Sequence, residues 1–140
     1  MAQRNWEDDS MTTGDELTAA EFVEMANYVE SDKFSFSTGM TEWADGLNNE
    51  EINRLILQSG ESLVVERIEF RQKGGGTSSN ASVRVQDTTA ATTYGNQTLG
   101  GTTKDAGETA TGNTIQVQLS NSTGGAITAA VTVIGRIKGA

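Results

Sequence analysis

Residues 127–138 of this chain read ITAAVTVIGRIK, and this stretch decides the fold class. Apolar residues take every second place from Ile127 to Val133 and return at Ile137, and a period of two puts them all on one face of a β-strand. Three other stretches alternate in the same way: residues 62–72 (SLVVERIEFRQ), 81–87 (ASVRVQD) and 114–120 (TIQVQLS). Short alternating strands with glycine-rich turns between them predict a mainly β protein, folded as a small antiparallel sandwich or barrel.

The composition restricts the chemistry open to the chain. It has 140 residues, the length of a single domain, and it contains no cysteine, histidine or proline. Zinc sites built from cysteine or histidine, thiol nucleophiles and imidazole bases are therefore excluded. We predict no catalytic, cofactor-binding or metal-binding residues, and we expect a binding or assembly protein, not an enzyme.

The charge is divided unevenly along the chain. The net charge is −9, and residues 1–60 carry 13 acidic and 3 basic residues whereas residues 61–140 carry 6 and 7. Scattered bases do not favour nucleic acid, no apolar run approaches the roughly 18 residues of a membrane span, and the polar start is unlike a signal peptide. We therefore predict binding to neither nucleic acid nor membrane, synthesis in the cytoplasm, and an acidic arm over residues 1–60 before a β-sandwich over residues 61–140.

Two stretches of this arm carry the signals of a helix start. Thr18 and Glu21 have the spacing of a capping box before an apolar stripe, and Asn48 with Glu51 repeats it. The second signal predicts a helix from about Asn49 to Gln58. Helices this short are marginal alone in water, so their stripes need burial against the sandwich or another chain. We expect contact with a shell or between subunits through seven apolar residues: Trp6, Phe22, Phe34, Phe36, Trp43, Ile52 and Leu55.

Carboxylate pairs and glycine-rich stretches are the remaining candidates for chemistry. Glu66 and Glu69 are three apart on a predicted strand, so we expect them on opposite faces, unable to flank one glycosidic bond. The apolar run at 63–65 predicts either burial on both faces or a bulge. Residues 95–113, rich in glycine and threonine, are predicted to form a long surface loop. The loop begins with the glycine spacing of a phosphate-binding loop, but Gly101 stands where the lysine is required.

Residues 60–90 and 113–139 together resemble a family of virion proteins. The runs GESLVVERIEFRQKGGGTSSNASVRVQDTTA and NTIQVQLSNSTGGAITAAVTVIGRIKG are similar to the small β-sandwich or jelly-roll structural proteins of tailed viruses, particularly the capsid decoration proteins of viruses that infect haloarchaea. The resemblance rests on the strand pattern and on the LSNSTGGA turn at residues 119–126. It implies a decoration or minor capsid protein on the outside of the capsid, a homo-oligomer, trimeric or pentameric, whose N-terminal segment contacts the major capsid protein.

The charge pattern leaves two explanations open. The acidity of residues 1–60 suits a halophilic host, because carboxylates keep a surface hydrated at high salt. The other explanation is that the acidic segment faces a basic neighbour in an assembly. A receptor- or carbohydrate-binding module of a virion fibre or tail is the alternative function, with residues 95–113 as its recognition surface. Sugar sites usually contain aromatic platforms, and this stretch contains no aromatic residue.

Overall fold

The computed structural model describes residues 32–139, and these residues form two antiparallel sheets. The first sheet has five strands in the order β1-β9-β4-β7, with β2 also beside β9, and the second has four in the order β3-β8-β5-β6. The prediction of a mainly β protein with a sandwich architecture is confirmed. The strands are β1 (Asp32–Ser37), β2 (Thr41–Trp43), β3 (Leu47–Ile56), β4 (Ser62–Gln72), β5 (Ser78–Asp87), β6 (Thr92–Leu99), β7 (Gly101–Glu108), β8 (Thr114–Asn121) and β9 (Ile127–Lys138).

The pairing of the strands is nested. Strand β9 pairs with β1 and β2, β8 with β3, β7 with β4, and β6 with β5, always antiparallel. The second half of the chain therefore runs back along the first half as one long ribbon, whose tip is the turn at residues 88–91 between β5 and β6. The additional pairs β4–β9 and β5–β8 join neighbouring parts of this ribbon into the two sheets.

The core lies between the inner faces of the two sheets. Strand β9 buries alternate residues along most of its length, as its sequence predicts, and β4, β5 and β8 contribute their alternating aliphatic residues opposite it. Full burial of a large apolar side chain stabilises the fold by about 1.5–3 kcal/mol. The largest apolar side chains that are almost wholly buried are Phe70, Leu63, Ile68, Ile115, Leu119, Val65, Val83, Val85, Val131 and Val133.

A bulge in β4 changes the prediction for its two glutamates. The register of β4 against both β7 and β9 shifts between Val65 and Arg67, as one of the two explanations for the apolar run anticipated. Because the extra residue reverses the alternation, Glu66 and Glu69 both lie on the outer face, each bonded to arginines there. The expectation that they face opposite sides is wrong.

The second predicted helix is also wrong. The segment forms strand β3, which pairs with β8 and carries two register shifts. Asn49, expected near the start of the helix, instead has a positive φ of 49°, which asparagine tolerates better than most residues. The apolar residues of the segment serve a sheet because the bulges turn Ile52 and Leu55 toward the core. The first predicted helix lies outside the described residues.

The predicted loop at residues 95–113 is wrong for most of its length. Strands β6 and β7 occupy residues 92–108 and are separated by Gly100. Gly95 lies within β6 at a φ of +71°, and a Cβ there would be 2.7 Å from Ile68 Cδ1. Its backbone therefore approaches the core closely enough to require glycine, which is why this strand does not show the usual alternation of branched residues.

The compact unit that contains the sandwich comprises residues 31–140. Strands β1 to β3 belong to its sheets, although the sequence placed their residues in the acidic arm. A boundary at residue 60 would divide the sandwich. Of the predicted arm, residues 1–31 lie outside the described part of the chain.

Candidate functional site

The predicted contact residues have a structural task in the described part of the chain. Five of them are partly buried and pack against the core: Phe34, Phe36, Trp43, Ile52 and Leu55. The Trp43 indole Nε1 also donates a hydrogen bond to the Ala129 carbonyl at 3.1 Å. Trp6 and Phe22 lie outside the described residues. Packing accounts for the apolar character of these five residues, and their contact with a shell or another subunit stays a prediction.

The sequence analysis missed two exposed apolar side chains. Among the described residues, two large hydrophobic side chains are exposed to solvent: Met40 is 54% exposed and Ile56 is 63% exposed. Met40 lies in the turn between β1 and β2, and Ile56 ends β3, at the opposite end of the sandwich. No periodic pattern in the sequence distinguishes these two residues from core residues, so their exposure is known only from the structure.

The end of the sandwich beside Met40 contains an open pocket of about 320 Å³. Its walls include Arg71 and two glycine-rich turns, one at residues 75–76 and one at residues 100–101. The Gly75 amide donates to the Gln72 carbonyl at 3.0 Å and the Gly100 amide to the Phe70 carbonyl at 2.7 Å. Because these amides are already bonded within the fold, the turns do not form the array of free N–H groups that cradles a phosphate.

Ion pairs organise the outer face of the five-stranded sheet. The Glu66 carboxylate accepts a bond from Arg136 at 2.9 Å, and Glu69 lies between Arg67 at 2.7 Å and Arg71 at 2.8 Å. These carboxylates balance neighbouring cations, which is a structural role. Among residues 32–139, no group of three histidine, cysteine or acidic residues is placed to hold a metal ion.

Among the acidic residues that the structure describes, Glu108, on the same face, has a shifted pKa. The Ser62 hydroxyl donates to Glu108 Oε1 at 2.7 Å, and Lys138 Nζ is 3.1 Å from the same oxygen. The Ser62 hydrogen bond is the main reason why the pKa of Glu108 lies below its ordinary value, and Lys138 adds to the effect against partial desolvation. A carboxylate with a lowered pKa is unsuited to act as a general acid near neutral pH.

The outer face of the four-stranded sheet has one ion pair on its edge strand β3, where Glu51 and Arg54 lie opposite Gln118 and Gln116 of β8, and differs in composition beyond it. Its three neighbouring strands β8, β5 and β6 present alternate residues to this face, in register with one another. One member is charged, Arg84, and the others carry hydroxyl or amide groups. We call this set the amide face: Gln116, Gln118 and Ser120 of β8, Ser82, Arg84 and Gln86 of β5, and Thr93, Asn96 and Thr98 of β6.

Arg84 lies in the middle of the amide face. Its Nε donates to Gln118 Oε1 at 2.8 Å, and Gln118 Nε2 donates in turn to Gln116 Oε1 at 2.8 Å. Every other arginine of the described residues has a carboxylate partner. Arg84 has none among residues 32–139, which makes it the strongest candidate for a binding residue on this protein.

The LSNSTGGA turn has a structural explanation in Asn121. This side chain is fully buried, and its Nδ2 lies 3.0–3.2 Å from the carbonyls of Trp43, Ala44 and Gly125. Its Oδ1 accepts bonds from the amide and the hydroxyl of Thr123. Asn121 therefore joins the turn after β8 to the turn after β2. The sequence alone showed the motif but not the buried amide that requires it.

Comparison with models of protein families, with curated proteins and with solved structures finds no match to the chain. Within the described residues, no helix has the length and apolar character needed to cross a membrane.

Proposed function

We propose that the chain is a structural protein of a virus particle, without enzymatic activity, that binds the outside of the capsid and associates with copies of itself. The observation that carries this proposal is the nested pairing of the strands. In a jelly roll, a long antiparallel ribbon is folded into two layers of four strands each. The ribbon of this chain doubles back at residues 88–91 and forms two such layers, with the short β2 added to one of them. Viral capsid domains and lectin domains are among the proteins built on this architecture.

The interior of the sandwich supports a structural role over an enzymatic one. The buried hydrophobic side chains of the sandwich are aliphatic apart from Phe70. Two of the buried polar residues, Asp87 and Asn121, bond to turns at the ends of the sandwich. Architecture alone does not assign function. The proposal therefore also depends on the resemblance of residues 60–90 and 113–139 to decoration proteins.

Self-association through the faces or ends of the sandwich suits this fold better than pairing of strand edges. Strand β3 is an edge strand, and its exposed residues include Glu50 and Glu51 beside the bulge at Asn49. Charges and bulges on an edge oppose the addition of another strand. Met40 and Ile56 offer apolar contacts at the two ends instead, and a trimer or a pentamer is the proposed assembly on the capsid.

The test combines mass in solution with binding to capsids. Sedimentation of the full chain over a range of concentrations, with and without molar salt, should show a discrete oligomer, and the protein should sediment with shells of the major capsid protein. A variant with Met40→Ser and Ile56→Ser should weaken association, whereas Thr98→Ser, on the amide face, should not. A monomer at all concentrations that also leaves shells bare would contradict the proposal.

The alternative function, a receptor- or carbohydrate-binding module, was expected to use a loop at residues 95–113 as its recognition surface. Strands β6 and β7 occupy most of that segment, so this reason for the alternative no longer applies. The amide face gives a separate and more specific reason to consider carbohydrate, which does not depend on the location of the protein in a virion.

A further inference from the structure

Four side chains at the centre of the amide face form a compact group. Arg84 and Gln86 of β5 lie directly opposite Gln118 and Gln116 of β8. All four point away from the core because they alternate with the buried Val83, Val85, Val117 and Leu119 along their strands. Two strands thus bring one guanidinium and three amide groups to neighbouring positions on a sheet, where side chains opposite one another are about 4.5–5.5 Å apart.

Each amide oxygen of this group already accepts one hydrogen bond, whereas several of its N–H donors make none. Gln118 Oε1 accepts from Arg84, and Gln116 Oε1 accepts from Gln118. Gln86 Oε1 accepts from the Thr93 hydroxyl. No acceptor within the described residues receives a bond from the Arg84 Nη groups or from the side-chain amides of Gln86 and Gln116. The surface that faces solvent therefore offers N–H donors around one positive charge, which fits a ligand that carries an oxyanion.

From this geometry we propose that the amide face binds an acidic polysaccharide, with the carboxylate of a sugar acid on Arg84. A guanidinium offers two parallel N–H groups, which match the two oxygens of a carboxylate. Gln118 holds Nε at one side of the guanidinium, so the Nη side remains for the ligand. The flanking Gln86 and Gln116 amides donate to the same carboxylate or to the ring hydroxyls beside it.

The surroundings of the group favour a polysaccharide over a protein partner. Stable protein interfaces usually have an apolar centre, and none of the nine residues of the amide face is apolar. Sugar hydroxyls both donate and accept, so the hydroxyl groups of Ser82 and Thr98 can bond to them, whereas that of Ser120 is bonded to Asn49. Aromatic stacking, which sugar sites often use, is absent from this face, and the proposed affinity therefore depends on the charge of Arg84.

The net charge of the chain makes this dependence measurable. At a net charge of −9, the protein as a whole repels a polyanion, so binding of one requires a local site. A basic protein would attract a polyanion non-specifically and could give a false positive, whereas the negative net charge of this chain opposes such binding.

The experiment is titration calorimetry of the full chain at low ionic strength with oligogalacturonate, a polymer of sugar acids. We expect binding that Arg84→Gln weakens about tenfold or more, because a charge-assisted hydrogen bond is lost, and that Arg84→Lys weakens less. The matched control is Arg71→Gln on the other sheet, since Arg71 is already paired with Glu69 at 2.8 Å, and it should bind within about twofold of the parent chain. Equal melting temperatures of the variants would show that the fold is preserved.

Three results would overturn the proposal. The first is no binding of oligogalacturonate by the parent chain, and the second is binding that Arg84→Gln leaves unchanged. The third is tighter, Arg84-dependent binding of polyglutamate or of a sulfated polysaccharide than of oligogalacturonate, since Arg84 would then recognise a protein carboxylate or a sulfate. Failure of the oligomer and capsid experiments would not affect this test, because the amide face is complete within one chain.

Discussion

Replacing Asn121 with alanine should destabilise the sandwich strongly, although the side chain that is lost is polar. This side chain has no solvent exposure, and its amide is within hydrogen-bond distance of carbonyls from two separate turns. Alanine keeps the backbone conformation available, so the substitution tests the amide group itself. Both turns lie at one end of the sandwich, where β2 leads into β3 and β8 into β9.

The magnitude follows from which groups lose a partner. The Gly125 carbonyl keeps a bond from the Thr123 hydroxyl at 2.9 Å, so the carbonyls of Trp43 and Ala44 are the ones deprived of their side-chain donor. A buried polar group without a partner costs about 1–3 kcal/mol. Trp43 is half-buried and Ala44 is exposed, so water replaces much of the lost bonding at Ala44, and we expect a loss of about 2 kcal/mol in the free energy of unfolding. A single domain has only about 5–15 kcal/mol in total.

Urea unfolding followed by tryptophan fluorescence measures this loss. With a slope of about 1–3 kcal/mol per molar urea, the midpoint should fall by roughly 0.7–2 M. The matched control is Asn96→Ala, which removes the same side chain from an exposed position on β6 and should change the free energy of unfolding by less than about 0.5 kcal/mol. If Asn121→Ala were no more destabilising than Asn96→Ala, the buried amide would not be what joins the two turns.

Two further substitutions test the packing and the electrostatics of the first sheet. In Gly135→Ala, the new Cβ would collide with the Val64 carbonyl, so we expect a loss of about 1–3 kcal/mol in urea unfolding, whereas Gly139→Ala, which meets nothing within 4 Å, should be neutral. The lowered pKa of Glu108 means that its stabilising effect is complete above the ordinary pKa of a glutamate and is lost as the pH falls through the lowered value. Glu108→Gln should therefore make the melting temperature depend less on acid pH. The loss of stability involved is below about 1 kcal/mol, because the side chain is 43% exposed. A pH profile of the melting temperature that the substitution leaves unchanged would refute this origin.

The strands with regular alternation could be predicted from the sequence to within a few residues. Residues 62–72 and 127–138 form β4 and β9 with the predicted bounds, and β8 extends one residue beyond prediction. These strands are central in their sheets, where one face of every strand is buried and the hydrophobic effect imposes a period of two on the sequence.

The strands that the sequence missed are edge strands or irregular ones. Strand β3 has a neighbour on one side only and contains two bulges, so its apolar residues recur at intervals that also fit a helix. Strand β7 has positive φ angles at Asp105 and Gly107 and exposes most of its residues. Local pattern is a weak guide where bulges interrupt it, because pairing with β8 and β4 then decides the structure.

The candidate binding residue illustrates the same limit. The alternation of residues 81–87 predicts that Ser82, Arg84 and Gln86 share one face, and the structure confirms it. That Arg84 lacks a carboxylate partner depends on the register of β5 against β8, which places Gln118 opposite it. No property of β5 alone contains this information.

The outer face of the five-stranded sheet and the amide face differ in how they neutralise their cations, and this difference supports separate roles for them. On the five-stranded sheet, Arg67 and Arg71 share Glu69, and Arg136 has Glu66. Exposed pairs of this kind add little stability, but they leave few donors for a ligand. On the amide face, Arg84 has no carboxylate partner among residues 32–139 and bonds to the neutral Gln118, beyond which Glu51 of β3 is paired with Arg54. The bond from Arg84 to Gln118 uses one of its five N–H groups, and a negatively charged ligand would account for the positive charge and the remaining donors at the centre of this face.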